Sequence, residues 1–329
     1  ESRGLGDVYK RQTLDASTLQ FPFEYKFVAI QKETGAVERW ETRPNRTFPL
    51  QPLQRGETYL PMETEVFFDD TPHRIAGCAI PVFSLRSEGS CGMGDFGDLK
   101  MLMDWAYETK QKAIQILPIN DTTLTGKWTD SYPYNSISIY AFHPMYIDLR
   151  QLPLLHNKKA AEAFEKERLK VNSFSMMDYE QSTQLKLNYL HQIYKQEGKK
   201  TLASEDFLDF FRRNEEWLRP YAAFCYLRDL YDTPDFNQWP AYRTYQADEI
   251  AQLCTSGHKA YPQIAFHYYL QYLLHVQLLA VSTYARQKGI LLKGDIPIGI
   301  SRTSVEAWVE PHYFHLNGQA GAPPDDFSV

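Results

Sequence analysis

Residues 81–105 read PVFSLRSEGSCGMGDFGDLKMLMDW, and this stretch decides the fold. Upstream, residues 75–83 are a mostly apolar run that suits a buried strand. A glycine-rich loop follows. Leu99, Leu102, Met103 and Ala106 then fall at helical spacing, with Asp98 placed to cap the helix start. Residues 113–117 form a second short apolar run. Strand, helix and strand in that order predict an α/β domain with parallel strands. Further on, residues of about 155–285 predict a mainly helical insertion. Ser204 is set to cap a helix carrying Phe207, Leu208 and Phe211, and Pro220 should break or start a helix. Phe266, Tyr269, Leu270, Leu273 and Leu274 mark another apolar face. Gly289 should stop that helix, and Ile290 should open a third strand ending near Asp295. Asn120 and Asp295 therefore stand at strand ends, Asp295 as a buried carboxylate.

The glycines Gly92, Gly94 and Gly97 spell GxGxxG between a strand and a helix. A dinucleotide site would use such glycines to bring a pyrophosphate to the helix N-terminus, and Asp121 lies near the expected acidic offset. The signal is weak. The loop before the first glycine is longer than a Rossmann turn, and Pro118 sits where the second strand should continue.

The same residues fit a more specific pattern. SLRSEGSCGMGDFGDL (84–99) resembles the opening of the amylomaltase family, glycoside hydrolase family 77. Five further blocks resemble that family in order: QILPIN (115–120), YPYNS with HPMYIDL (132–136 and 143–149), WLRPYAAF (217–224), GDIPI (294–298) and GAPPDDFS (321–328). The resemblance implies a partial (β/α)8 TIM barrel over 75–329, with its chemistry at the C-terminal ends of the strands. It also implies a 4-α-glucanotransferase that moves α-1,4-glucan or glucosyl units between maltodextrins or maltose and glucan acceptors through a covalent intermediate. By the same resemblance Asp295 accepts sugar hydroxyls, Tyr134 lies against the glucan, and Asp325 sits on the mobile acceptor-side loop. A structural cap is the rival role for Asp295, and core packing for Tyr134. Asp326 stands where the family usually has Tyr, and Tyr132 and Asn135 depart more mildly. The family's nucleophile sits in an R-x-D-H-F-R block, which this sequence lacks. Asp229 follows Arg228 but lies in a helical pattern, so no catalytic residue is assigned. The chain reads as cut at both ends and is expected to be inactive as it stands, with its acids beyond Val329.

The N-terminal region reads differently. Residues 1–12, ESRGLGDVYKRQ, resemble translated sequencing-adapter sequence. Tyr25, Phe27 and Val28 open a β run, a turn at residues 32–35 follows, and Ala36 to Trp40 resume it. EYKFV (24–28) and VERWETRPNR (37–46) resemble the last strands of a family 20 starch-binding module, a β-sandwich. That resemblance makes Trp40 a stacking platform, with Lys26 and Asn45 as hydrogen-bonding partners; plain packing is the rival role for Trp40. Residues 13–50 would then be the end of the module and 51–74 a linker. A starch-binding module ahead of such a barrel resembles the disproportionating-enzyme-2 type. A non-catalytic glycan-binding fragment is the competing reading.

Composition narrows the classes. The net charge of −6 argues against nucleic acid and anionic membranes as partners, and no apolar run approaches the length of a membrane span. Aromatic residues make up 14% of the chain, enough for a thick core or for sugar-stacking platforms. Cys78, Cys91, Cys225 and Cys254 are far apart, which fits a reducing, cytoplasmic setting without disulfides or zinc. His312 and His315 form an isolated HxxH and read as packing residues. No metal or cofactor is expected. Starch, maltodextrins and maltose are the expected partners.

Overall fold

The computed structural model describes residues 19–31, 34–48, 66–68 and 75–318. The chain divides into two compact units, residues 1–74 and 75–329. The segment 1–12, most of 51–74 and Asp325 with its loop lie outside the described residues.

Unit 1 holds four short strands: β1 (Phe23–Tyr25), β2 (Val28–Ile30), β3 (Val37–Trp40) and β4 (Arg46–Phe48). β1 pairs antiparallel with β4, and β2 with β3, where a register shift falls between Ala29 and Ile30. Gly35 takes φ +69 in the connecting turn, a backbone region L side chains rarely adopt. The Phe23 and Phe48 rings stack at 4.9 Å across β1 and β4. Glu41 fastens the hairpins. Its buried carboxylate accepts Arg46 Nη2 at 2.5 Å, Arg46 Nε at 3.0 Å and the Phe67 amide at 3.1 Å.

Unit 2 is α/β. β5 (Gly77–Ile80), β6 (Ala113–Ile116) and β7 (Leu291–Lys293) form a parallel sheet in that order. A Cβ at Gly77 would stand 2.2 Å from the Ala113 carbonyl oxygen, so glycine lets β5 approach β6 closely. The first strand is shorter than the apolar run 75–83. Pro81 has no amide to continue the ladder, and a 3-10 turn, Val82–Ser84, follows. α1 (Phe96–Glu108) returns the chain to β6. Its N-cap is Asp95, whereas the sequence favoured Asp98. Asp98 is the third helical residue and completes a capping box with Asp95.

Between β6 and β7 run α2 (Lys158–Asn172), α3 (Tyr179–Leu202), α4 (Glu205–Tyr231), α5 (Ala247–Leu253) and α6 (Tyr261–Gln287). Ser204 caps α4 through a bond to the Phe207 amide. Pro220 does not break a helix; it lies inside α4. An interior proline costs about 3 kcal/mol. The same turns bury Leu218, Tyr221 and Phe224, each contributing about 1.5–3 kcal/mol, so packing outweighs the lost backbone bond. Two cores result. One joins the sheet to α1, α3 and α6; the other joins α4, α5, the first turns of α6, and α7 (Val305–Val309). His312 and His315 are exposed rather than packed, and His312 Nδ1 lies 3.4 Å from Glu310.

Candidate functional site

The candidate site residues read from the sequence lie beyond the C-terminal ends of the parallel strands. β6 runs out through Pro118 and Ile119 to Asn120, and β7 through Gly294 to Asp295. Asp295 is half-buried, not buried as its place in the sequence suggested. Its Oδ1 accepts the Ile296 amide at 2.9 Å, and its Oδ2 accepts the Tyr134 hydroxyl at 2.8 Å. Two residues 161 positions apart thus meet through side chains. The hydrogen bond to Asp295 raises the Tyr134 pKa, because ionising the phenol would break it and set two negative charges together. Tyr132 lies 5.8 Å from Tyr134, ring to ring, and widens the aromatic surface. Ile296 and Ile298 are strongly exposed beside Asp295, at 74% and 95%.

The loop that delivers Tyr134 is shaped by carboxylates that accept its amides. Asp130 accepts the amides of Leu124, Thr125 and Gly126 at 3.0, 2.8 and 2.6 Å. Asp121 accepts the Thr123 amide at 2.9 Å and the Tyr221 hydroxyl at 2.7 Å. Asn120, at the end of β6, donates Nδ2 to the carbonyls of Ser138 and Ile139 at 3.2 and 2.8 Å. It tethers the loop.

The glycine-rich stretch is not a nucleotide cradle. A Cβ at Gly94 would fall 2.0 Å from the Val82 carbonyl oxygen. One at Gly97 would fall 2.2 Å from Asp148 Oδ2 and 2.3 Å from Arg150 Nη2. The amides of Gly97 and Asp98 at the start of α1 donate to Asp95 Oδ1. Lys186, wholly buried, donates Nζ to Asp95 Oδ2 at 3.2 Å and to the carbonyls of Met145 and Ile147 at 2.6 and 2.9 Å. Arg150 donates to Asp95, Asp98 and Asp148 at 2.7, 3.1 and 2.6 Å. The protein's own carboxylates fill the positions a pyrophosphate would need. Burial pushes the Asp95 pKa up, while Lys186 and Arg150 oppose the shift.

A cavity of about 650 Å³ opens among α3, α4, α6 and the loop after β6. Asp121, His143, Thr183, His191, Arg228 and His267 help line it, and neither Tyr134 nor Asp295 does. Burial pulls the His267 pKa down to about 4, so that imidazole is neutral at pH 7. Among the described residues no group of His, Cys, Asp and Glu could hold a metal ion.

In unit 1, Trp40 is 62% exposed. It faces Val28 across the hairpin, and the pairing continues through the Glu41 amide to the Phe27 carbonyl, one residue from Lys26. Asn45 donates Nδ2 to Glu24 Oε2 at 2.8 Å. In the W-E-x-x-P-N-R run, Glu41 and Arg46 bind each other, a structural role that the sequence did not separate from binding.

The structure places the chain in the α/β class, with a tyrosine–carboxylate pair beyond the C-terminal ends of its parallel strands. Within it, the chain belongs to the 4-alpha-glucanotransferase family, whose model matches residues 80–329. It is 39% identical over 308 residues to the 4-alpha-glucanotransferase DPE2 of Oryza sativa subsp. japonica, covering 94% of this chain and 32% of the rice protein. It is 36% identical over 254 residues to the 4-alpha-glucanotransferase of Chlamydia trachomatis, covering 77% of this chain and 46% of that protein. In structure it resembles an amylomaltase from Streptococcus agalactiae solved in complex with acarbose. There the TM-score is 0.62 and the identity 27%, covering 78% of this chain and 51% of that one. The chain thus spans about a third to a half of the length of these relatives.

Proposed function

We propose that unit 2 supplies part of the glucan cleft of a 4-α-glucanotransferase acting on maltodextrins, maltose and starch-type glucans. The observation that carries this reading is the Tyr134–Asp295 pair at the strand ends. Asp295 Oδ2 takes one hydroxyl donor already, and a sugar hydroxyl is a donor of the same kind. The Tyr132 and Tyr134 rings offer apolar faces to a pyranose. The parallel order β5-β6-β7 is the start expected of a (β/α)8 barrel, and Asp325 belongs to the same cleft by its GAPPDDFS block.

A retaining transfer needs a carboxylate that attacks the anomeric carbon and an acid that protonates the departing glycosidic oxygen. The acid, as its conjugate base, then takes the proton of the acceptor hydroxyl. None of the 329 residues lies in an R-x-D-H-F-R block, so neither role is given to a residue here. The likeness to the rice protein runs over 308 residues, more than the 255 of unit 2 (329 − 74), and therefore reaches unit 1. A second, binding function of unit 1 for starch, through Trp40 with Lys26 and Asn45, is favoured by the exposure of the Trp40 indole. Four unpaired cysteines suit a reducing, cytoplasmic setting.

Calorimetric titration of the chain with maltoheptaose tests the cleft. Asp295→Ala should weaken binding by about 1.5–3 kcal/mol, the worth of a hydrogen bond to a charged group, with a nearly unchanged melting temperature. Equal affinity in the two proteins would make Asp295 a cap on Ile296 and nothing more.

A further inference from the structure

Two segments far apart in sequence build the site. They are stitched together at four places besides the Tyr134–Asp295 bond. The Ser301 amide donates to the Ser136 carbonyl at 3.2 Å, and the Val305 amide to the Ile137 carbonyl at 2.8 Å. The other two bonds converge on one atom. Glu306 Oε1 accepts the Ser138 hydroxyl at 2.8 Å and the Ile139 amide at 3.1 Å.

Glu306 is in the first turn of α7, and α7 is firmly held. Ser304 caps it through the Ala307 amide. Trp308 is buried against Trp239, Phe224 and Tyr245 and donates Nε1 to the Tyr242 carbonyl. Ser138 passes the constraint on, since its hydroxyl oxygen accepts the amides of Tyr140 and Ala141. The Asn120 side chain holds the carbonyls of Ser138 and Ile139 from the β6 end. Glu306 Oε2 is buried and has no hydrogen-bond partner of ordinary geometry among the described residues. A half-satisfied buried carboxyl is costly. It is retained here at the junction of the two site-bearing segments.

We propose that Glu306 is a positioning residue of the glucan site: it fixes the Tyr134 loop against the Asp295 segment, so that phenol and carboxylate are presented as a pair. This rests on the reading of that pair as the glucan contact. Glu306 touches neither side chain of the pair in the structure and acts through Ser138 and Ile139.

The test uses the full chain with 3-fluorotyrosine placed at position 134, whose fluorine resonance reports the bond to Asp295. Asp295→Asn supplies the resonance of the altered pair. Glu306→Ala and Ser138→Ala should move the Tyr134 resonance toward that position and weaken maltoheptaose binding about three- to tenfold. Glu306→Gln keeps an acceptor oxygen and should restore both. A residue that only stabilised α7 would lower the melting temperature and leave the resonance in place, and that result overturns the proposal. If Glu306→Ala fails to fold, Ser138→Cys and Ser138→Ala decide together: both leave α7 intact, Ser138→Ala removes the bond to Glu306 along with the Tyr140 and Ala141 acceptor, and a resonance unmoved in both overturns the proposal. If the unaltered chain binds no maltoheptaose, the glucan reading fails, while the resonance still decides the positioning claim.

Discussion

Two carboxylate sites follow strands of the same parallel sheet, and they differ in one respect. At the start of α1, Asp95 and Asp98 are 2% and 3% exposed, and protein donors surround both. At the end of β7, Asp295 is half-buried, with a tyrosine hydroxyl on one oxygen and exposed apolar residues beside it. Residue type and proximity to a strand do not separate the two. Unused hydrogen-bonding capacity and access do. A closed carboxylate cluster holds the fold; an open one is available to a ligand.

Breaking the closed cluster should have the largest effect. Lys186→Met leaves Asp95 buried beside Asp98 and Asp148 with only Arg150 to offset it. Removing one partner of a buried ion pair costs about 3–5 kcal/mol. Thermal or urea unfolding of unit 2 should register that loss; a change below about 1 kcal/mol would mean that water reaches the cluster.

Unit 1 repeats the contrast on a smaller scale, with Glu41 closed and Trp40 open. Trp40→Ala should weaken β-cyclodextrin binding by about 0.5–1.5 kcal/mol beyond the area lost and leave the melting temperature nearly unchanged. Normal affinity with a lowered melt would make the indole a packing residue.

Glu41 is the closed half of that smaller contrast. Hydrogen bonding from Arg46, with help from the Phe67 and Phe27 amides, pulls its pKa from 4.5 down to about 2. A depressed carboxylate stabilises the fold fully above its unfolded pKa, so the contribution is complete above about pH 4.5. It is lost as pH falls from there through about 2. A side-chain carbon titration by NMR should place the Glu41 midpoint near 2; a midpoint near 4.5 would mean the Glu41–Arg46 pair does not persist in solution.

The α/β pattern was legible because buried strands and amphipathic helices leave periodic traces. Leu99, Met103 and Ala106 point into the core as their spacing required. Ser204 was readable as a cap from its place before an apolar run. Pro220 was misread because its local cost is visible in sequence, while the burial of Leu218, Tyr221 and Phe224 that outweighs it is not. The capping of α1 was misplaced by three residues, since Asp95 and Asp98 are the same residue type and only geometry separates cap from third helical position. Tyr134 and Asp295 were singled out through motif resemblance, and their meeting across 161 residues was not visible in spacing. Glu306 went unnoticed because nothing local marks a glutamate that accepts bonds from residues 167 and 168 positions away.

Hydrogen–deuterium exchange of the chain with and without maltoheptaose tests the contrast between the two carboxylate sites most directly. Protection is expected in residues 132–140 and 293–304, with no change in residues 90–99. Protection confined to 90–99, or none at 132–140 and 293–304 when the sugar is bound, would contradict it.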